Sequence, residues 1–170
     1  MRIFRWLGYA VLALLAVIAI VWVAARFHDG PLGIIAGGPL VSGELVQTPP
    51  EPDWTFVHDR PTVEFQLLSP PRSRTTWILE VDGRIYIPCG YMTSAVGRLW
   101  KHWPIEAERD GRAILRIDGK RYQRQLVRIQ QGEIVGKLTA ELARKYGAPA
   151  TSETVESGSL WLFEMAPPAS

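Results

Sequence analysis

The chain has 170 residues, a formal net charge of +2 and a single cysteine, Cys89. This length accommodates one domain together with an additional segment. A single cysteine excludes an intramolecular disulfide, so a domain exported from the cell must be stabilised by its packed core alone.

Residues 6–25 form an apolar run without a single charge. A helix of this length spans about 30 Å, which matches the hydrocarbon core of a bilayer. Trp6 and Tyr9 lie at one end and Trp22 lies near the other, where amphipathic rings favour the lipid–water interface. We therefore predict a transmembrane anchor within residues 1–26, with membrane lipid as its partner.

Charges on either side of the run predict its orientation. Arg2 and Arg5 precede it and Arg26 follows it, so the positive excess is N-terminal. This bias predicts a single-pass protein of the cell membrane, with the N-terminus inside and the main domain on the outer, periplasmic side. A cleaved signal peptide is the alternative, because residues 23–25 are small. The run exceeds the usual apolar region of about 7–15 residues in such peptides, which favours a retained anchor.

Residues 27–53 are rich in glycine and proline and predict an irregular arm that leads to a domain at residues 54–170. The arm also contains large apolar residues, which predict that it packs on the domain: Leu32, Ile34, Ile35, Leu40 and Val41. Its glycines match neither common phosphate-loop pattern.

Strand patterns dominate the domain. Alternating or β-branched runs predict strands at 62–68, 75–81, 84–88, 113–129 and 160–165. Asp82-Gly83 and Asp118-Gly119 predict tight type I′ hairpins, because that turn needs positive φ at both positions. Helical patterns are limited to residues 93–103 and 139–147. The sequence thus predicts a mainly β fold, a small antiparallel barrel with two short helices after the N-terminal transmembrane helix.

Two segments carry a family resemblance. They read RSRTTWILEVDGRIYIP at residues 72–88 and GRAILRIDGKRYQRQLVRI at residues 111–129, with a basic, tryptophan-containing loop between them. Over about residues 60–130 the chain resembles the flavin-binding split β-barrel proteins, including pyridoxamine-phosphate-oxidase-like enzymes and deazaflavin-dependent nitroreductases. The resemblance implies a split-barrel-like domain that binds FMN or a related flavin. The N-terminal anchor and the arm depart from the simple cytoplasmic members.

The same resemblance implies the residues that hold the cofactor. A basic and hydroxyl-bearing strand start and a basic loop would face the phosphate: Arg72, Arg74, Thr75 and Thr76, with Arg98, Trp100 and Lys101 from the loop. Arginine offers a fork of donors that matches phosphate oxygens. The alternative for the strand start is an ordinary solvated turn. Of Trp100 and Trp103, we expect one to pack in the core and leave the other as a stacking ring.

Basic residues concentrate in residues 96–128, which contain nine Lys and Arg but four Asp and Glu. An anion site, an acidic partner or anionic lipid headgroups would use such an excess. The alternative is that these residues occupy solvent-exposed, outward positions of strands, and we favour this interpretation for Arg116, Arg124 and Arg128.

Other chemistries have little support in the sequence. His28, His58 and His102 lack the spacing of metal ligands, so no metal site is predicted. Cys89 follows a predicted strand and is expected to be a buried small hydrophobe rather than a reactive thiol.

Two functions remain open at this point. One is a membrane-anchored flavin-binding domain, either an oxidoreductase or a degenerate relative. The other is a non-enzymatic envelope scaffold or interaction protein with a basic face. A homodimer formed across the site is compatible with the first function, and no nucleic-acid partner is predicted.

Overall fold

The computed structural model describes residues 2–47, 50–93 and 102–168. Its helices are α1 (Arg2–Ala25), α2 (Trp103–Arg109), α3 (Glu133–Tyr146) and α4 (Ser152–Glu156), and Thr55–Val57 form a 3-10 turn. Its strands are β1 (Glu44–Val46), β2 (Thr62–Leu68), β3 (Pro71–Trp77), β4 (Leu79–Val81), β5 (Arg84–Cys89), β6 (Arg112–Ile117), β7 (Lys120–Ile129) and β8 (Trp161–Ala166).

All eight strands belong to one sheet, in the order β3-β2-β6-β7-β8-β5-β4, and β1 pairs in parallel with β7. The other pairings are antiparallel. Strands β3 and β4 lie at opposite ends of this order, yet only Ile78 separates them in the chain. The sheet therefore curls until its two ends meet, which confirms the predicted mainly antiparallel, split-barrel-like fold.

Both predicted hairpin turns are present. Asp82 and Gly83 have φ of 53° and 74°, and Asp118 and Gly119 have φ of 50° and 72°. Positive φ at both central positions is the geometry of a type I′ turn, whose twist matches that of the flanking strands.

Two clusters of apolar side chains lie on the two faces of the curled sheet. The inner cluster contains alternate residues of the strands, such as Phe65, Leu115 and Leu126, and Trp103 of α2. The outer cluster lies where α3 and α4 cover part of the sheet, and includes Leu79, Tyr86, Leu138, Leu142, Val155 and Leu162. Strands β5 and β8 contribute side chains to both clusters, because successive residues of a strand point to opposite faces of the sheet, and β4 contributes Leu79 to the outer cluster.

The arm packs on the domain in part. Leu40 is buried, and its N–H donates to the side-chain oxygen of Gln66 on β2. Asp29 accepts from the Val41 N–H at 2.8 Å and from Arg116 at 2.8 Å. Ile34 stays 93% exposed, so the predicted packing does not extend to every apolar residue of the arm.

Several predicted element boundaries need correction. The strand expected at 75–81 is two strands, because the chain crosses from one end of the sheet to the other at Ile78. The helix expected at 139–147 begins earlier, at Glu133, and α4 was not predicted. Of the helix expected at 93–103, residues 94–101 lie outside the described residues, and α2 begins only at Trp103.

The solvated positions expected for three arginines are wrong. Arg124 is 1% exposed, because it alternates with Tyr122 and Leu126 on the inner face of β7. Arg116 does point outward, but the arm covers it and its side chain is 12% exposed. Arg128 is also largely covered and lies over the ring of Trp161.

Helix α1 is long and apolar enough to cross a membrane. Its segment Phe4–Ala25 has 22 residues with a mean hydropathy of 2.6, and the apolar stretch of this segment is 0% buried within the protein. A signal sequence near the N-terminus also satisfies this criterion of length and composition.

Candidate functional site

The seam between the two ends of the sheet contains a cleft of about 580 Å³. Strand β3 pairs with β2 along one edge, and β4 covers β5 only over Arg84–Tyr86. The ends of β3 and β5 consequently face each other across the seam without a continuous ladder between them among the described residues. We call this space the seam cleft.

Both clusters of apolar side chains reach the seam cleft. Thr75, Thr76 and Trp77 line it from β3, and Cys89 lines it from β5. Trp103 comes from the inner cluster, whereas the outer cluster and the segment after α3 provide Leu142, Ala148, Pro149, Ala150 and Leu160. The wall is therefore mainly apolar with a few hydroxyls, which is the usual composition of a small-molecule site.

Aromatic rings stand at the mouth of the cleft. Trp77 is 44% exposed and stacks on Tyr146, with 4.3 Å between ring centroids and an interplanar angle of 6°. Tyr91 also lines the cleft and is 75% exposed. Exposed rings beside an apolar cleft provide flat surfaces for a planar ligand.

The end of α3 holds the corner at Ile78, where β3 passes into β4. The Ile78 N–H donates to the Tyr146 hydroxyl at 3.0 Å, and Lys145 Nζ donates to the Ile78 carbonyl at 2.8 Å. Burial raises the pKa of Tyr146 and lowers the pKa of Lys145. These contacts fix both the position of Trp77 and the path of β3 along the cleft.

Arg74 lies on the inner face of β3, opposite Phe65 of β2. Its guanidinium stands 5.8 Å from the centre of the Phe65 ring, and its Nη1 is buried without a hydrogen-bond partner among the described residues. Burial lowers the pKa of Arg74 to about 10, although the Glu106 carboxylate and Cys89 act in the opposite direction. A buried cation without a full set of acceptors is costly, so this position favours an anion that completes the set.

The structure brings part of the predicted site together. Arg72, Arg74 and Thr76 pair with Leu67, Phe65 and Val63, so all three share the inner face of β3. Thr75 lies on the opposite face, and both threonines line the seam cleft. The predicted loop residues Arg98, Trp100 and Lys101 lie outside the described residues.

Two packing predictions at the site are confirmed. Cys89 is buried, with its Sγ 3.6 Å from Met92 Sδ. Trp103 packs edge-on against Phe65, with ring centroids 5.0 Å apart, as expected for one of the two tryptophans, whereas Trp100 lies outside the described residues. The Trp77–Tyr146 stack was missed, although a tryptophan at the polar end of a strand signals an exposed ring.

Several arginines of residues 96–128 form ion pairs with acids. Arg116 pairs with Asp29 and Glu64, and Arg112 pairs with Asp110 at 2.7 Å. Arg128 pairs with Glu108 of α2. These paired arginines therefore contribute less to a basic surface than their number suggests, among the residues that the structure describes.

Comparisons with known proteins do not name a relative. No family model, curated protein or solved structure matches the chain. The resemblance to the flavin-binding split barrels therefore stays a prediction from the sequence. Among the described residues, no group of three or more His, Cys, Asp or Glu side chains is arranged to hold a metal ion.

Proposed function

We propose that this protein is a membrane-anchored ligand-binding domain whose seam cleft takes a planar small molecule with an anionic group. A phosphate-bearing flavin, FMN or a close relative, is the ligand that the sequence resemblance favours. The observation that carries the proposal is the half-buried Arg74, whose buried Nη1 lacks a hydrogen-bond partner among the described residues and which directly precedes the cleft-lining Thr75 on β3.

Three properties of the cleft suit such a ligand. Its volume of about 580 Å³ lies within the range of about 300–1,000 Å³ that is usual for small-molecule sites. The aromatic side chains of Trp77 and Tyr91 line the cleft, and Thr75 and Thr76 offer hydroxyl donors. Arg74 immediately precedes Thr75 and shares the inner face of β3 with Arg72 and Thr76; neither arginine lines the cleft itself, and both would supply positive charge beside its wall.

We further propose that α1 is a retained anchor with the N-terminus inside and the domain on the outer side of the membrane. The uncharged run of residues 6–25 within α1 and the arginines that precede this run support the placement. A bound flavin would supply any redox chemistry, while the chain's own residues bind and orient it.

Ligand binding is tested on the full chain in detergent micelles, by the quenching of flavin fluorescence at fixed salt. FMN is expected to bind more tightly than riboflavin, which lacks the phosphate. Arg74→Gln removes one charged donor, which costs about 1.5–3 kcal/mol and weakens FMN binding about ten- to a hundredfold. Arg84→Gln is the matched control, because Arg84 is 67% exposed and lies outside the cleft. The control should bind FMN like the parent chain.

Other outcomes would contradict the proposal. Equal binding of FMN and riboflavin would show that the protein does not contact the phosphate. Equal losses of FMN binding in the two variants would show that Arg74 is not part of the site. Absence of binding by both flavins at millimolar protein would favour the envelope scaffold instead. Near-ultraviolet circular dichroism of each variant shows whether the fold is retained, so that a binding loss is not confused with unfolding.

A further inference from the structure

The most exposed large apolar residues of the described chain lie just after α1, in residues 27–36, which we call the arm loop. Ile34 is 93% exposed and Phe27 is 85% exposed, more than the side chains described for α1 itself. Leu32 is 36% exposed. Since no charged residue lies between Asp29 and Glu44, the tip of the loop is entirely apolar. Such a patch on a folded domain marks an interaction surface.

The arm loop is held in a defined conformation by backbone hydrogen bonds. Leu32 and Ile35 exchange two backbone hydrogen bonds of 3.0 Å, which close the tip. At the base, a Cβ on Gly37 would lie 1.8 Å from the Gly30 carbonyl oxygen, so the two chain segments touch there. Gly37 N–H also donates to Ser73 of β3 at 2.9 Å.

The same base joins the end of α1 to the domain. Gly38 N–H donates to the His28 carbonyl at 3.0 Å, three residues after the helix ends at Ala25. Asp29 binds Arg116, which in turn binds Glu64 of β2. The end of the helix, the arm loop and the sheet are thus linked by direct contacts.

Given the proposed retained anchor, on which this step rests, we propose that the arm loop inserts Phe27 and Ile34 into the interfacial layer of the bilayer that α1 spans. The continuity with α1 identifies the partner as lipid. Ile34 is three residues from Gly37, so it lies within about 11 Å of the base of the loop. A loop of this reach is comparable to the interfacial zone, which adds about 5–8 Å to each side of the hydrocarbon core.

This second contact sets the orientation of the domain. A helix alone allows the domain to tilt and rotate, whereas a second apolar contact in the arm loop, which the Asp29–Arg116 pair ties to β6, restricts both motions. The lipid is engaged through apolar area rather than through charge, since the loop tip has no basic residue.

The experiment measures immersion depth by spin labelling of the full chain in phosphatidylcholine nanodiscs. A nitroxide is placed at Ile34→Cys, and its collisions with oxygen and with a water-soluble nickel chelate are compared. Leu14→Cys in α1 is the depth standard, and Val127→Cys, 44% exposed on β7, is the water standard. The parent chain serves as the labelling blank, because its Cys89 is buried.

The expected result is an oxygen-to-nickel collision ratio at Ile34 that lies between the ratios at Leu14 and Val127. A ratio at Ile34 equal to that at Val127, with Leu14 still deep, would overturn the lipid contact while leaving the anchor in place. Shielding of Ile34 from both reagents would also overturn it, since the loop would then face protein. A water-like ratio at Leu14 would overturn the anchor itself.

Discussion

Arg124 is the clearest case in which one residue departs from the ordinary rules of burial. Its guanidinium lies 4.9 Å from the Trp54 ring centre, and its Nη1 donates to Glu51 at 2.6 Å. Its Nε and Nη2 are buried without a hydrogen-bond partner among the described residues, and burial lowers its pKa. A cation in such surroundings is an electrostatic cost that the ring contacts offset only in part.

We therefore expect Arg124→Met to maintain or increase the free energy of unfolding, by up to about 1–4 kcal/mol, because an apolar side chain of similar length fills the space without a buried charge. Arg124→Ala leaves a cavity and should lower it by about 2–4 kcal/mol. Both variants are compared by urea unfolding in detergent micelles, followed by tryptophan fluorescence. A large loss in the methionine variant would show that the charge itself stabilises the fold.

The burial of Arg124 was predictable from strand periodicity, although its charge argued against it. Tyr122, Arg124 and Leu126 occupy alternate positions of β7, so the placement of the two apolar residues inward fixes the arginine inward as well. Arg116 behaves differently, because it points outward and is covered by Asp29, 87 positions earlier in the chain. No local pattern reveals a contact over that distance.

Among the elements, the two hairpin turns need residues at positive φ, whereas α3 contains a glycine that its helical conformation does not need. Gly119 has φ of 72° in the turn between β6 and β7, while Gly136 lies within the exposed side of α3, where an added Cβ would meet no atom within 4 Å. Gly119→Ala should lower the free energy of unfolding by about 1 kcal/mol, because alanine resists the left-handed conformation. Gly136→Ala should raise it by about 0.5–1 kcal/mol through helix propensity.

This pair of glycine variants is measured by denaturant midpoints under identical conditions. The two shifts are expected to have opposite signs, so a general effect of adding a methyl group would be recognised at once. Stabilisation by Gly119→Ala would contradict the type I′ turn.

The stability that the docked arm contributes through Asp29 is expected to depend on pH. Burial acts to raise the pKa of Asp29, but hydrogen bonds from Ser42, Val41 and Arg116 outweigh it and lower the pKa from 3.8 to about 2. A lowered pKa stabilises the fold above the unfolded-state value, and this contribution is lost as pH falls through the folded-state value. Asp29→Asn should thus cost about 2 kcal/mol at neutral pH. This difference from the parent chain should shrink between about pH 4 and pH 2.

The measurement is the urea midpoint of both chains across this pH range. Asp59→Asn is the control, because the Asp59 side chain is 85% exposed and lies 3.5 Å from Arg144. If the difference in urea midpoint between Asp29→Asn and the parent chain stays constant down to about pH 2, the charge of the carboxylate is not the cause of the stabilisation.

Strands with regular alternation were predictable, and elements that depend on tertiary contacts were not. Strand β2 occupies the residues expected for it, 62–68, since its apolar side chains alternate. Strand β1 in the arm has three residues and pairs with β7 far along the chain, so its own sequence shows no strand pattern. Thr75 and Thr76 were predicted as site residues, but the cleft they line forms only when the ends of the sheet meet.

At the scale of the whole molecule, the seam explains why a cleft exists in such a small domain. A single residue, Ile78, connects the two ends of the sheet, and the contacts from Lys145 and Tyr146 fix this corner. The pairing of β4 with β5 ends at Tyr86, and both apolar clusters reach the opening beyond it. The curl that buries the inner face thereby also creates the cleft.

The orientation of the whole chain in the membrane gives the last prediction. Arg2 and Arg5 precede the apolar run of residues 6–25, and positive residues are retained on the inner side, so the C-terminus should lie outside. In a bacterial host, alkaline phosphatase fused after Ser170 should be active, and a fluorescent reporter that folds only in the cytoplasm should be dark. Replacing both arginines by glutamate should lower the phosphatase signal, because the positive bias is then lost. An active cytoplasmic reporter on the parent chain would place the domain inside, where the flavin pool is present, and would contradict the proposed orientation without affecting the seam cleft.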